Sequence, residues 1–149
     1  MPHRPEPVLM VEDSPEDYAA LNRSFSKVGI PNPLKHCADG DEALDYLYQR
    51  ADYRNAESAP RPVLILLDLN LPGTDGREIL RQLKRDDQLR EIPIIVFTTS
   101  TDPRDISQCY RLGANSYVTK PTDPTRLTEI AQQLKEFWLG SCALPTNAE

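Results

Sequence analysis

Val63-Leu64-Ile65-Leu66-Leu67-Asp68-Leu69-Asn70-Leu71-Pro72-Gly73 drives five consecutive apolar residues into a carboxylate and then breaks at proline and glycine. An apolar run of this length, entered from Pro62, predicts a strand buried on both faces, the kind that sits in the middle of a parallel sheet. Asp68 then stands at its carboxyl end, the edge at which ligands of open α/β sheets bind. On this stretch alone Asp68 reads equally well as a turn residue. The other strands decide between the two.

Upstream, Val8-Leu9-Met10-Val11 is another short apolar strand, and it also ends in carboxylates, Glu12-Asp13. Ser14-Pro15-Glu16-Asp17 supplies an N-cap serine, a proline at the first helical position and acids in the first turn. A helix follows, with Tyr18, Leu21, Phe25 and Val28 marking one face and Gly29 stopping it. Pro33-Leu34-Lys35-His36-Cys37 predicts a short, half-polar strand, and the next helix carries Ala43, Leu44, Leu47 and Tyr48 as its apolar positions. The stretch Tyr53 to Arg61 has neither period nor bulk and predicts an exposed spacer loop, preceded by an extra turn of helix.

Downstream, Thr74-Asp75-Gly76 opens a helix with Ile79, Leu80 and Leu83 on one side. Ile92 to Phe97 is a β-branched strand that ends in the hydroxyls Thr98-Thr99-Ser100-Thr101. Asp102-Pro103 starts a helix with Ile106, Cys109 and Tyr110 inward, closed by Gly113. Asn115 to Thr119 is the last strand, ending at Lys120-Pro121, and Asp123-Pro124 begins a helix whose apolar face is Leu127, Ile130, Ala131, Leu134, Phe137 and Trp138. Strand and helix alternate throughout. The predicted fold is α/β: a doubly wound, five-stranded parallel sheet of order 2-1-3-4-5 with five helices, the flavodoxin-like arrangement.

Composition excludes several classes. With 149 residues, 39% hydrophobic and 27% charged, the chain has the size and balance of one globular domain. No apolar run approaches the roughly 20 residues of a membrane helix, and the amino terminus lacks the apolar segment of a signal peptide, so the expectation is a cytoplasmic protein. The three cysteines, Cys37, Cys109 and Cys142, are scattered and fit neither a disulfide framework nor a zinc site. His3 and His36 have no ligand partner in sequence. A net charge of -6 argues against a nucleic-acid surface.

In the predicted fold Glu12, Asp13, Asp68, Thr98 and Lys120 converge on one sheet edge. Clustered carboxylates repel unless a cation neutralises them, and Mg²⁺, held by carboxylate and carbonyl oxygens and water, is the expected ion. A lysine and a hydroxyl beside it complete a cradle for phosphoryl oxygens, which makes Asp68 the candidate nucleophile.

With those residues placed, the chain resembles the receiver domains of two-component response regulators, from Val8 through the last helix. The family's paired acids match Glu12-Asp13, its phospho-acceptor Asp68, and its metal-binding backbone carbonyl Asn70. Its switch hydroxyl matches Thr98, its aromatic switch Tyr117, and its lysine followed by a cis proline Lys120-Pro121. The resemblance implies phosphoryl transfer from a phosphohistidine of a sensor histidine kinase to Asp68 with Mg²⁺. Thr98 would then bond a phosphate oxygen, and Tyr117 would turn inward, coupling the site to the face of the fourth helix, fifth strand and fifth helix. It also implies slow self-dephosphorylation, with Asn70, Thr99 and Ser100 flanking the approach of water.

A narrower likeness lies in LLDLNLPGTDGREIL, IPIIVFTTS, ANSYVTKP, the spacer from Tyr53 to Arg61, and the tail Phe137-Trp138-Leu139 followed by Leu144-Pro145. These are similar to the small stand-alone receivers that serve cyanobacterial phytochrome kinases, which implies a phytochrome partner and a homodimer formed through the helix-five face and tail. The organisation implied is a tail over 1–6, a receiver over 7–139 and an extension over 140–149, with no effector domain. Two other readings use the same residues. A haloacid-dehalogenase-like phosphohydrolase also has a strand-end aspartate, Mg²⁺, a threonine and a lysine, but needs a second aspartate where this chain has Asn70; a receiver used as an unphosphorylated binding module would not need the full set.

Overall fold

Successive side chains of a strand point to opposite faces of the sheet, and here both directions are apolar, so each strand feeds two cores at once. In the computed structural model, which describes residues 5–145, the strands are β1 (Val8–Val11), β2 (Leu34–Cys37), β3 (Leu64–Leu67), β4 (Ile94–Thr98) and β5 (Ser116–Thr119). The helices are α1 (Pro15–Val28), α2 (Gly40–Tyr48), α3 (Gly76–Arg85), α4 (Pro103–Leu112) and α5 (Pro124–Gln133). The sheet is parallel throughout, as the alternation of strand and helix predicts, and its order β2-β1-β3-β4-β5 is the flavodoxin-like one expected. Residues 1–4, which include His3, and 146–149 of the extension lie outside the described residues.

Leu9, Val11, Ile65, Leu67, Ile94 and Val96 face a core closed by Leu44 and Leu47 of α2, Ile79 and Leu83 of α3 and Cys109 of α4. Val8, Met10, Leu64, Leu66, Ile95 and Phe97 face a second core closed by Leu21 and Phe25 of α1 and Ile130 and Ala131 of α5. Each fully buried Leu or Ile contributes roughly 1.5–3 kcal/mol by leaving water. The helices start where their caps say: the side chains of Ser14, Asp39, Asp75, Asp102 and Asp123 each accept a backbone N–H of the first turn.

Several positions depart from the sequence reading. Tyr110 is 49% exposed, because α4 lies over β5 at the margin of the sheet and none of the described residues beyond that edge forms a further strand to cover it. In α2 the tyrosine that goes inward is Tyr46, whose hydroxyl donates to the Pro60 carbonyl at 2.8 Å, while Tyr48 lies outside beneath the Arg50 guanidinium. The stretch from Tyr53 to Arg61 is exposed over 54–58 and follows a short 3-10 turn at Ala51–Tyr53, both as expected, but it is also anchored: Ala59 is buried and Tyr53 donates to Glu42. Finally, α5 does not continue as a regular helix: from Leu134 to Ser141 the backbone widens into a π-helical segment, which leaves Phe137 exposed and packs Trp138 against the second core. Lys135 donates to the Val28 carbonyl at 2.7 Å, fixing this segment to the end of α1.

Candidate functional site

Ladder bonds set the strand ends level with one another. The Asp68 N–H donates to the Val11 carbonyl at 3.1 Å, the Glu12 N–H to the Cys37 carbonyl at 3.0 Å, and the Lys120 N–H to the Thr98 carbonyl at 2.7 Å. Glu12, Asp13, Asp68, Thr98 and Lys120 are therefore brought to one edge, as expected. One carboxylate oxygen from each of Glu12, Asp13 and Asp68 lies within 4.8 Å of the others. Glu12 and Asp68 are buried and Asp13 is open to water, so the cluster sits in a shallow cleft.

Lys120 is the only cation shown in contact with these acids among the described residues. Its ammonium contacts Glu12 Oε1 and lies 3.0 Å from both Asp68 Oδ2 and Asp17 Oδ2. Burial opposes its charge, but the hydrogen bond to Glu12 and the charge of Asp68 outweigh that, and its pKa is raised above the ordinary lysine value. Glu12 is driven the other way from a usual carboxylate: burial pushes it up to about 7, more than the bond to Lys120 pulls it down. The Ser14 N–H at 3.2 Å from Glu12 Oε2 is a further, weaker anchor.

The orphan of the site is Thr98. It is fully buried, and its Oγ1 has no hydrogen-bond partner. Buried hydroxyls are normally satisfied, so this one is free to donate to a group outside the protein. Hard carboxylate oxygens, a fixed ammonium and a free hydroxyl around one cleft suit a divalent cation and a tetrahedral oxyanion.

The remaining expected residues are placed differently. Asn70 is exposed, just past Asp68. Tyr117 is half-buried, and its hydroxyl donates to the Ser100 carbonyl at 2.9 Å, so its ring already sits against the loop after β4. The expected cis bond before Pro121 is not found: no peptide bond among the described residues is cis. Cis and trans X–Pro amides differ by only about 0.5–1 kcal/mol, so local residue types alone do not select the isomer.

Three contacts escaped the sequence reading. Asp17, read only as a first-turn acid, reaches Lys120 because α1 starts directly over the strand ends. His36, read as having no partner, lies 2.6 Å from the Glu12 carbonyl and stacks on Tyr18 at 4.3 Å. Arg77 bonds Asp105 at 2.9 Å across two helices. The helical register of Ser14 to Asp17 gave a signal for the first; nothing in sequence pairs the other residues.

The pKa of Glu12 has a consequence for stability. Because the folded value lies above the unfolded one, the native state binds the extra proton between about pH 4.5 and 7, and stability falls as pH rises through that window. The metal-free protein is expected to be less stable at pH 8 than at pH 5 by about 1–3 kcal/mol. Glu12→Gln should flatten that dependence; a denaturant-melt series in chelator that shows stability rising over this range would exclude the account.

Known proteins resemble this chain along most of its length. The model of the response regulator receiver domain matches residues 8–132. Response regulator Rcp1 of Synechocystis sp. PCC 6803 is 39% identical over 141 residues, covering 95% of this chain and 94% of that protein. Among solved structures, the phosphorylated cyanobacterial phytochrome response regulator RcpA superposes with a TM-score of 0.88 at 39% identity, covering 95% of this chain and 99% of that one. The Mn²⁺-bound form of Rcp1 superposes with a TM-score of 0.86 at 39% identity, covering 95% and 100%.

Proposed function

Because this chain belongs to the response regulator receiver domain family, we propose that it accepts a phosphoryl group on Asp68 from a sensor histidine kinase of the phytochrome type. The observation that carries the reading is the contact of the Lys120 ammonium with Asp68 at the strand-end edge, where Thr98 also ends its strand with a buried hydroxyl that has no partner. Glu12, Asp13, Asp68 and the Asn70 backbone carbonyl would hold Mg²⁺, which when bound offsets the repulsion between carboxylate and phosphoryl oxygens. The protein's own groups do the rest. An Asp68 side-chain oxygen attacks phosphorus, the bond from phosphorus to the partner's imidazole nitrogen breaks with its electron pair going to that nitrogen, and an acyl phosphate remains. Lys120 and Thr98 meet the phosphoryl oxygens, Lys120 with charge and Thr98 with a hydrogen bond.

The output follows from where Tyr117 sits. Thr98 drawn to phosphate, with Tyr117 already seated against the loop, shifts the balance between two packings of α4, β5 and α5. A groove of about 560 Å³, lined by Tyr117, Arg126, Phe137 and Trp138 among others, opens on that face. We assign it to a homodimer contact, together with the extension after residue 139. In this reading the chain works in the cytoplasm as a signalling protein and not as a turnover enzyme. No helix among the described residues is long and apolar enough to cross a membrane.

Incubation with Mg²⁺ and acetyl phosphate is expected to add one phosphoryl group by mass, which chelator and Asp68→Asn both abolish. Rapid multiple turnover of an ordinary phosphate ester would instead favour a phosphohydrolase, and no uptake at all a binding module. Sedimentation should show dimers weakened by Phe137→Ala; monomer alone, with and without phosphorylation, would sink the dimer.

A further inference from the structure

A chain of polar contacts runs from the first turn of α3 to the tyrosine of β5 without touching Asp68, and the phosphoacceptor chemistry makes no use of it. Arg77 Nη2 donates to Asp105 Oδ1 at 2.9 Å, joining α3 to α4. The other oxygen of Asp105 accepts from Ser100 Oγ at 2.6 Å. The Ser100 carbonyl in turn accepts from the Tyr117 hydroxyl at 2.9 Å. The ion pair is sheltered, with side-chain exposures of 25% for Arg77 and 22% for Asp105, so it is less screened than a fully solvated pair.

This chain abuts the site at its start and again at Ser100. Helix α3 begins at Gly76, which packs directly on the backbone of Asp68. Ser100 belongs to the loop that leaves β4 just after Thr98, the residue whose buried hydroxyl has no partner. The placing of this loop therefore bears on both Thr98 and Tyr117, and the bonds of Ser100 to Asp105 and Tyr117 hold it where it leaves β4.

Resting on the phosphoacceptor reading, we propose that Arg77 and Asp105 are positioning residues: through Ser100 they fix the loop after β4 so that Tyr117 is seated and the Thr98 hydroxyl stays free for the incoming phosphoryl oxygen. Neither residue touches the reacting atoms. The seat of Tyr117 is thereby built before any phosphoryl group arrives, and a donor held in place needs no reorganisation at the moment of transfer. The same clamp fastens the start of α4, so the output face and the acceptor site share one constraint.

Labelling of the full chain with Mg²⁺ and acetyl phosphate, timed by mass, tests this. Asp105→Ala, Arg77→Ala and Ser100→Ala are each expected to slow labelling about threefold to tenfold with Mg²⁺ affinity unchanged. The double variant of Arg77 and Asp105 should be no slower than the slower single one, since both break one chain. In a Tyr117→Phe background Asp105→Ala should add less than about twofold, and Arg104→Ala, an exposed neighbour on α4, should label at the parent rate. Parent rates in the Asp105 and Arg77 variants, or effects that multiply in the double variant and persist in full without the Tyr117 hydroxyl, would overturn the proposal.

If Asp105→Ala melts far below the parent, Asp105→Asn keeps the shape, removes the charge and is expected to slow labelling as well. The Tyr117 ring resonances of the metal-free protein give an independent readout. They should move in Asp105→Ala whether or not the chain is phosphorylated. Unmoved resonances would refute the clamp, whereas moved resonances in a parent chain that takes up no phosphoryl group would support the clamp and remove the phosphoacceptor reading.

Discussion

Lys120→Ala is expected to cost the metal-free protein about 3–5 kcal/mol of stability and to slow phosphoryl uptake by about 10²-fold or more. The ammonium is the shared partner of Glu12, Asp17 and Asp68, and two of those acids are buried. Above about pH 7, where Glu12 carries its charge, removing it leaves buried carboxylates to repel each other without a counter-charge, which is worse than never having formed the pair. Mg²⁺ should restore part of the lost stability but little of the rate, because a cation among the acids replaces the charge that Lys120 offers to them and not the donor it offers to the phosphoryl group. Lys120→Arg should not rescue, since a planar fork cannot take the place of a compact ammonium bridging three carboxylates. Urea melts with and without Mg²⁺, alongside acetyl phosphate labelling, check both parts; a variant as stable as the parent in chelator would refute the account.

A methyl group at Gly76 is the second large effect. A Cβ built there lies 2.2 Å from the Asp68 carbonyl oxygen and 2.7 Å from the Leu69 Cα, both backbone atoms that no rotamer change can move. Gly76→Ala should therefore destabilise the fold by about 3 kcal/mol, at the upper end of overpacking costs, and displace the carboxylate that accepts the phosphoryl group. The natural control is Gly29→Ala at the C-cap of α1. Gly29 adopts a left-handed φ of 77°, but its added Cβ would meet only Lys135 Nζ at 3.6 Å. That change carries a backbone penalty of roughly 1–2 kcal/mol and leaves the site untouched. Thermal melts of the two variants, with labelling rates, separate the effects: equal losses of stability, or a normal labelling rate in Gly76→Ala, would contradict the packing argument.

The apolar runs of β1, β3 and β4, each stopped by a polar residue, contained the fold, because a parallel sheet buried on both faces leaves few other ways to write a strand. The same residues located the site: where a buried strand stops at Glu12, Asp68 or Thr98, its carboxyl end is the edge at which the crevice lies. Period and capping also placed the helices, since Ser14, Asp102 and Asp123 sit where first-turn N–H groups need an acceptor. Helix faces at the rim were less legible. Tyr46 and Tyr48 are equally apolar by pattern, and which one turns inward depends on the Pro60 carbonyl, supplied by a segment that local periodicity describes as spacer.

What the sequence determined by itself is the parallel strand–helix alternation and the residues along its functional edge, because both follow from local apolar runs and the places where they stop. What only the tertiary structure decided is which of those residues meet. Asp17 joins Lys120 across 103 positions, His36 meets the Glu12 carbonyl, and Arg77 reaches Asp105 and through it the seat of Tyr117. Such pairs have no period and no fixed spacing. They exist because helices that start over one sheet edge bring polar first turns together, and a contact of that kind is a property of packing in three dimensions, not of any local stretch of chain.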